Sequence, residues 1–596
     1  MQLRLLATSD VHMHLSGWDD RLGVENPAMG LARLAHLIDV MRKSSEGPVL
    51  LLDNGDSFQG TPLATSAAAA PVKSHHPWIA ACNLMRYDAI GLGNHDFDFG
   101  LDYLRAVADL LDAPMLCSNL NRALHPIRHA QIIDVPTPDG KPVLKIGLLS
   151  FAPVETAIWA KRQLDGQIGF LDPRNALSQR AKTLRTEGVD LIVALAHSGL
   201  DDGKDSEIGE LFASDLAATG QVDAMIAGHT HRHFPGPDHA AARQIDPLAG
   251  TVFGVPTVMP GYAGAALGVI DLDLSREERW RITRHRPRLL PSDHAPERSE
   301  ILEVSRRARR ATMRKMSRAV GETACHINSF FSLLRPDTSA ALMAEAFRDA
   351  AGEAVANSAH ANLPLLVSVS PKASGGRSGP DNYVNIPPGP VTERHIAMAC
   401  PFPNTVSIVP MTGAILRDWI ERSLALFPQV PDDGVTRALQ DSSMPSFHFE
   451  MVWGLDLTAD LRASPRFTVD GQPLEGRMGR IKKLHWNGTA VQPHQRFLVA
   501  MTSYRAAGGG RFPGLTEQSG HIQTRVSLQD ALRQLLFRSK PWRPGVRLNW
   551  RIEAGGRDWL FDTSPAAKVH LDEIPSLNPE SLGLTDKGFL RIKLRL

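Results

Sequence analysis

The sequence predicts an α/β protein of more than one domain, and three observations predict it. Strand-length apolar runs recur through the first 231 residues, at LRLLATS, PVLLLDNG, DAIGLG, DLIVALA and VDAMIAG. Each run leads into polar side chains, as strands do where a ligand sits at the carboxyl edge of an α/β sheet. The chain of 596 residues is also too long for a single core, and its length suggests about two to four domains.

Taken in order, the runs deliver Asp10-Val11-His12, Gly55-Asp56, Gly93-Asn94-His95-Asp96, Ala196-His197 and Gly228-His229-Thr230-His231. Two divalent ions about 3.5–4 Å apart need a bridging carboxylate, neutral imidazoles and neutral oxygen donors, and these fragments hold all three. The D-x-H spacing suits a strand end, where residues i and i+2 point to one side and can grip one ion. Any one fragment is weak, and five unrelated strand-capping turns are the plain alternative; their shared context at strand ends favours a two-metal phosphoesterase site. His14, His75, His76, His125, His129, His233 and His239 lie in polar or Pro-rich stretches and read as solvated side chains. Of these, His14 and His233 flank the motifs closely enough to support a ligand from behind.

Residues 276–294 are basic and Pro-containing, and 296–319 (PERSEILEVSRRARRATMRKMSRA) read as a solvent-rich helix, so 276–319 are expected to be a linker. Alternation of Arg with Glu favours a solvated interdomain helix over a nucleic-acid-binding one. A second domain is expected over 320–545. It carries Ser370-Pro371-Lys372-Ala373-Ser374-Gly375-Gly376-Arg377, then Pro401-Phe402-Pro403-Asn404-Thr405, and Ser503-Tyr504-Arg505-Ala506-Ala507-Gly508-Gly509-Gly510. Glycines let backbone approach a ligand closely, and two separated aromatics could sandwich a nucleobase. Core packing is the alternative for Phe402 and Tyr504, and Arg377 either contacts substrate or braces its loop. Residues 546–596, with alternating Phe589–Leu596, read as a small β-rich extension packed on the second domain and carry no evident chemistry.

Composition bounds the partners. Apolar residues at 43% and charged residues at 22% are ordinary for a globular protein, and Lys plus Arg at 65 against Asp plus Glu at 64 gives no attraction to a long nucleic acid. No apolar run is long enough to cross a membrane as a helix. Cys82, Cys117, Cys325 and Cys400 are scattered without a C-x-x-C, which suggests neither a thiolate zinc site nor a redox motif. The first motif begins ten residues from Met1, so a leader is not expected if Met1 is the true start, which would make the protein cytoplasmic.

With these motifs in hand, residues 1–275 resemble a calcineurin-like metallophosphoesterase domain, specifically the periplasmic 5′-nucleotidase branch, whose pattern is D-x-H, GD, GNH-[ED]-x-D, H-[ST]-G and GH-[ST]-H. The resemblance implies a four-layer α/β/β/α sandwich, joined by a helix to a C-terminal α/β substrate-binding domain. It assigns Asp10, His12, Asp56 and His231 to one ion and Asp56, Asn94, His197 and His229 to the other, with Asp56 as the bridge. It makes His95 the catalytic histidine and Asp98 the residue that orients its ring, where the local alternative is that Asp98 only caps a helix starting near Leu101.

The K-A-x-G-G-R-x-G-P run, the PNT element, Pro445-Ser446-Phe447-His448-Phe449 and S-Y-R-A-x-G-G-G further resemble the 2′,3′-cyclic-nucleotide 2′-phosphodiesterase/3′-nucleotidase subfamily over residues 3–540. This implies that Phe402 and Tyr504 clamp the base and that Gly376 and Arg377 line the nucleotide site. Thr502-Ser503 stand where asparagines are typical. The implied activity is hydrolysis with two divalent ions, Mn, Zn, Mg, Fe or Co, acting on 2′,3′-cyclic and 3′-phosphorylated nucleosides. A monomer in the periplasm is implied with it. Rival readings are a 5′-nucleotidase or UDP-sugar hydrolase, a thiosulfate-processing hydrolase, and a catalytically silent nucleotide-binding protein, against which the intact ligand set argues.

Overall fold

A computed structural model of the chain describes every residue except 138–142, 202, 204–209, 240, 243, 357, 403, 431–434, 441–445, 516–520 and 546–548, and the side chain of Arg377. The chain divides into two compact units, Met1–Met316 and Ser317–Leu596.

Two large sheets form the core of the first unit. In one, the parallel strands Gln2–Thr8, Val49–Asp53, Ala89–Gly91 and Met115–Leu116 lie side by side, and Ala266–Arg276 and Trp280–Pro291 add antiparallel beyond Gln2–Thr8. In the other, Leu144–Phe151, Leu191–Ala196, Ala224–Ala227 and Val255–Pro260 run parallel. Strand side chains alternate between faces, and the buried clusters follow that alternation into layers. Leu3, Leu5, Ala7, Leu50 and Leu52 meet Ile146, Leu148, Val193 and Leu195 between the sheets. Leu6 and Leu51 face outward onto helices at Leu34, Ile38, Trp78 and Leu104. On the far side Leu149, Ile192 and Ala194 pack against Leu177, Leu184 and Leu216. These are the helix, sheet, sheet and helix layers of a four-layer sandwich. Strands covered on both faces read as unbroken apolar runs, which is why they were legible.

The structure differs from the sequence expectation at the linker. Residues 280–291 form a strand paired with Ala266–Arg276 from Arg276↔Trp280 to Ala266↔Pro291, so a boundary at 275 would cut a hairpin. The strand lies on a sheet edge, where basic side chains and prolines are tolerated because one side of the ladder is unpaired. Arg288 and Arg4 both bond Asp271 on the neighbouring strand. The expected helix forms over Ser299–Met316, yet it packs on the helices Leu31–Lys43, Pro62–Ala68 and Pro77–Met85 through a buried stripe of Ile301, Ser305, Thr312 and Met316.

The second unit is built on a five-stranded sheet in the order Met451–Trp453, Leu365–Val369, Arg496–Thr502, Thr405–Thr412, Ile522–Ser527. Helices Thr338–Val355, Gly413–Leu424 and Leu528–Arg538 pack against it. The C-terminal residues are part of this unit rather than an addition to it. Asn549–Glu553 pairs in parallel with Asp456–Asp460, and Phe561, Leu590, Ile592 and Leu594 join the unit's single apolar core. The start of the expected extension at Val546 lies outside the described residues. All four cysteines are free thiols. Among the described residues no helix is long and apolar enough to cross a membrane.

Candidate active site

Asp10, Asp56, Asn94, His197 and His229 each follow directly on a parallel strand of the first unit, so the sandwich gathers them at one edge. The local geometry is not the extended strand end expected from the D-x-H spacing. Asp10 and His12 have φ of 51° and 47°, and Asp56, His229 and His231 have 53°, 70° and 59°. Left-handed backbone at non-glycine residues costs about 1–3 kcal/mol each and persists where surrounding bonds enforce it. Here the enforcing bonds join two loops: Asp10 N–H donates to the Gly55 carbonyl at 3.0 Å, His12 N–H to Asp56 at 2.9 Å and Met13 N–H to Ser57 at 2.7 Å. Asp10 and His12 therefore share a side through a tight turn. Gly55, at φ 89°, lies so close to Gly93 that a Cβ would overlap its backbone.

The donor atoms of Asp10, His12 and His231 lie within 4.8 Å of one another, and so do those of Asp56, His197 and His229. Asp56 Oδ2 stands between the groups, 3.0 Å from His197 Nε2 and 3.8 Å from His12 Nε2. His12 and His197 each donate Nδ1–H to a carbonyl, Gln59 and Asn54, both at 2.8 Å. That fixes the tautomer and leaves Nε2 for a cation. Burial keeps His12 neutral, pushed down to about 3, and holds His231 well below its ordinary value. Burial opposes charge on His197 as well, but the Asp56 and Asp10 carboxylates outweigh it and push the ring up to about 10. Asn94 Oδ1 is buried with no hydrogen-bond partner among the described residues. An unsatisfied buried acceptor beside two carboxylates and four imidazoles fits divalent cations and leaves little other purpose for the cluster.

His95 stands apart from the donor groups. Its backbone N–H donates to Asp56 Oδ1 at 2.7 Å and its Nδ1–H to Asp98 Oδ2 at 2.8 Å. Its ring sits edge-on to His12 at 5.5 Å. Burial disfavours its charge, yet Asp98 and Asp56 prevail and push it up to about 9. The capping alternative for Asp98 does not hold, because Gly100 is the N-cap of the helix Leu101–Ala108 and no side chain caps it.

Several contributors have no role assigned by the sequence. Asp96, inside the motif, accepts from the backbone N–H groups of Asp56, Gly93 and Ser57 at 2.8, 2.9 and 2.9 Å, tying together two loops that carry candidate donors. Glu210 accepts from His229 Nε2 at 2.9 Å, and Trp159 stacks on that ring at 5.7 Å. Tyr262 stacks on His231 at 4.4 Å and accepts from Arg21 at 3.2 Å. His14 is buried against Tyr262, and His76 and His239 are also buried, contrary to the solvated reading. His233 bonds Asp238.

In the second unit Asn404 joins the two aromatic segments. Its Oδ1 accepts from Ser503 Oγ at 3.2 Å and Tyr504 N–H at 3.3 Å, while Thr405 N–H donates to Ser503 Oγ at 3.1 Å. Thr502 caps the short helix Ser503–Ala506. Phe402 is 38% exposed and Tyr504 half-buried. Gly376, exposed at φ 63°, opens the turn Gly376–Ser378; the Arg377 side chain lies outside the described residues. Ser374 bonds Ser446, bringing the 370–379 loop to the turn Ser446–His448. Pro403 and Pro445 of the expected motifs lie outside the described residues. Burial pushes the Lys372 ammonium down to about 8, against the pull of Glu450.

Comparison with known proteins adds two family matches, calcineurin-like phosphoesterase over residues 3–233 and 5′-nucleotidase C-terminal domain over 319–517. The chain is 31% identical to a 2′,3′-cyclic-nucleotide 2′-phosphodiesterase/3′-nucleotidase of Haemophilus influenzae, over 99% of this chain and 94% of that one. It is 30% identical to the protein of the same name from Salmonella typhimurium, over 96% and 92%. It is 31% identical to the trifunctional nucleotide phosphoesterase protein YfkN of Bacillus subtilis over 96% of this chain, and spans 40% of that longer protein. In fold it is similar to a putative 5′-nucleotidase from Staphylococcus aureus, with a TM-score of 0.74, 21% identity and coverage of 93% and 100%.

Proposed function

The chain belongs to the 2′,3′-cyclic-nucleotide 2′-phosphodiesterase/3′-nucleotidase family of calcineurin-like metallophosphoesterases, and on that premise we propose that it is a two-metal hydrolase of 2′,3′-cyclic nucleotides and 3′-nucleotides. The observation that carries the reading is Asp56 Oδ2 set between two donor groups with His95 beside it. Asp10, His12, Asp56 and His231 would hold one ion, and Asp56, Asn94, His197 and His229 the other. When bound, such ions supply Lewis acidity and a hydroxide nucleophile at neutral pH.

The remaining work falls to the chain's own side chains. Asp98 holds the His95 ring through Nδ1, which leaves Nε2–H for the phosphoryl group. A protonated His95 stabilises charge on the phosphoryl oxygens and donates toward the departing oxygen. In a 2′,3′-cyclic nucleotide, water adds to phosphorus, the bond to O2′ breaks and O2′ takes a proton, leaving a 3′-nucleotide. A second hydrolysis releases nucleoside and phosphate. Phe402 and Tyr504 stack the base, and Gly376 and Arg377 line the nucleotide site. With a formal net charge of +1, the chain offers a long nucleic acid no general attraction. The proposed working form is a monomer and the proposed compartment the periplasm.

Tyr504→Ala tests the substrate assignment. Base–aromatic stacking is worth about 1–3 kcal/mol, so KM for 2′,3′-cyclic AMP is expected to rise between about fivefold and a hundredfold. Bis(p-nitrophenyl) phosphate, which has no base, keeps its KM. Equal losses on both substrates would make Tyr504 a packing residue and remove the nucleotide-specific reading.

A further inference from the structure

Arg505 follows directly on the proposed stacking residue and is fully buried, at 0% exposure. Every nitrogen of its guanidinium is committed. Nε donates to Glu450 Oε1 at 2.8 Å, one terminal nitrogen to the Gly509 carbonyl at 2.5 Å, and the other to the Phe447 carbonyl at 2.9 Å. Glu450 is itself anchored in the core. Its second oxygen accepts from Ser368 Oγ at 2.7 Å, which accepts from Trp419 Nε1 at 3.2 Å. Its backbone N–H donates to Ser423 Oγ at 2.7 Å, and Ser423 Oγ donates to its carbonyl at 3.0 Å.

An ion pair buried this deeply is a poor source of stability, because desolvation offsets much of its attraction. The two carbonyl bonds point to another use. Gly508 and Gly510 have φ of 96° and 74°, and a run of three glycines has little conformational preference of its own. Gly509 lies so close against the Tyr504 ring that a Cβ would overlap it. The ring thus rests on a loop that Arg505 ties through the Gly509 carbonyl, directly behind the ring, while Arg422 bonds the next carbonyl, Gly510, at 3.1 Å.

We propose that Arg505, anchored by Glu450, is a positioning residue that fixes Gly509 behind the Tyr504 ring and joins the 508–510 loop to the Ser446–His448 turn, so that the base-stacking surface is formed before substrate arrives. The inference rests on the reading of Tyr504 as a stacking residue. A surface ordered in advance spares the ordering cost on binding, so the expected signature lies in nucleotide KM. Lysine keeps the charge but cannot span three acceptors with a planar fork.

The experiment compares Arg505→Lys, Gly509→Ala and Tyr504→Ala, each with kcat and KM on 2′,3′-cyclic AMP and bis(p-nitrophenyl) phosphate. The first two are expected to raise nucleotide KM about five- to twentyfold with kcat within about twofold and the aryl diester KM unchanged. Gly509→Ala moves the ring with Arg505 kept and so tests only the ring's seat; if Arg505→Lys does not fold, Glu450→Gln, which weakens the anchor and leaves Arg505 in place, decides the positioning role. Unchanged nucleotide KM in the foldable variants overturns the proposal, and so does an equal loss on both substrates. If Tyr504→Ala raises nucleotide KM while the other two do not, only the positioning role falls. If Tyr504→Ala leaves nucleotide KM unchanged, the stacking reading falls and this inference with it.

Discussion

Replacing His95 by Ala is expected to lower kcat on 2′,3′-cyclic AMP by about 10²- to 10⁴-fold, the usual range for loss of a positioned acid or base, with the bound metal retained. Retention follows from the geometry. The His95 ring belongs to neither donor group, and its tie to Asp56 is a backbone N–H that alanine keeps. Asp56 therefore stays oriented after the ring is gone. The Asp98 bond to Nδ1 serves only the ring, so its loss leaves a partly exposed carboxylate free to take water. Metal content by mass spectrometry and kcat are measured on the same preparation. Loss of activity in step with loss of metal would show His95 to be a support for the ions rather than a catalytic group.

Asp96→Asn is expected to weaken ion binding about 10- to 100-fold with the side chain's size and shape preserved, the range seen when a group behind a metal ligand is lost. The carboxylate, 0% exposed, accepts three backbone N–H groups, from Asp56 and Gly93 at one oxygen and Ser57 at the other. Burial, with the nearby Asp56 charge, pushes it up to about 7, and the backbone bonds pull back toward the acceptor form. An asparagine amide has one oxygen and one NH₂, so in either orientation a donor faces a donor. Each buried N–H left unpaired costs about 1–3 kcal/mol, and those N–H groups belong to the loops that carry Asp56 and Asn94. Calorimetric titration of stripped protein with Mn²⁺ measures the effect. Unchanged affinity for both ions would mean that the loops hold their geometry without Asp96.

The first unit was legible because its chemistry and its folding share the same segments. Strands buried on both faces are unbroken apolar runs, and five of them lead into the candidate donors. What the runs could not convey was the backbone between strand and ligand. Asp10 and His12 were expected on an extended strand, but bonds to a loop more than forty residues away put them in a left-handed turn. The Trp280–Pro291 strand was hidden by its own arginines and prolines, which suit an edge as well as a linker. Glu210, Trp159 and Tyr262 gain their meaning only from the histidine rings they touch, and nothing in their neighbouring sequence marks that contact. In the second unit the motifs were visible separately, whereas the Asn404 link between residues 402–405 and 502–504 exists only in the fold.

Cyclic and 3′-phosphorylated nucleosides are the proposed substrates of this site. The direct test is kcat/KM for the Mn²⁺-reconstituted protein on 2′,3′-cyclic AMP, 3′-AMP, 5′-AMP and UDP-glucose, measured side by side. The first two are expected to exceed the others by about tenfold or more, a difference of at least ~1.4 kcal/mol in transition-state binding. Preferred turnover of 5′-AMP or UDP-glucose would contradict it.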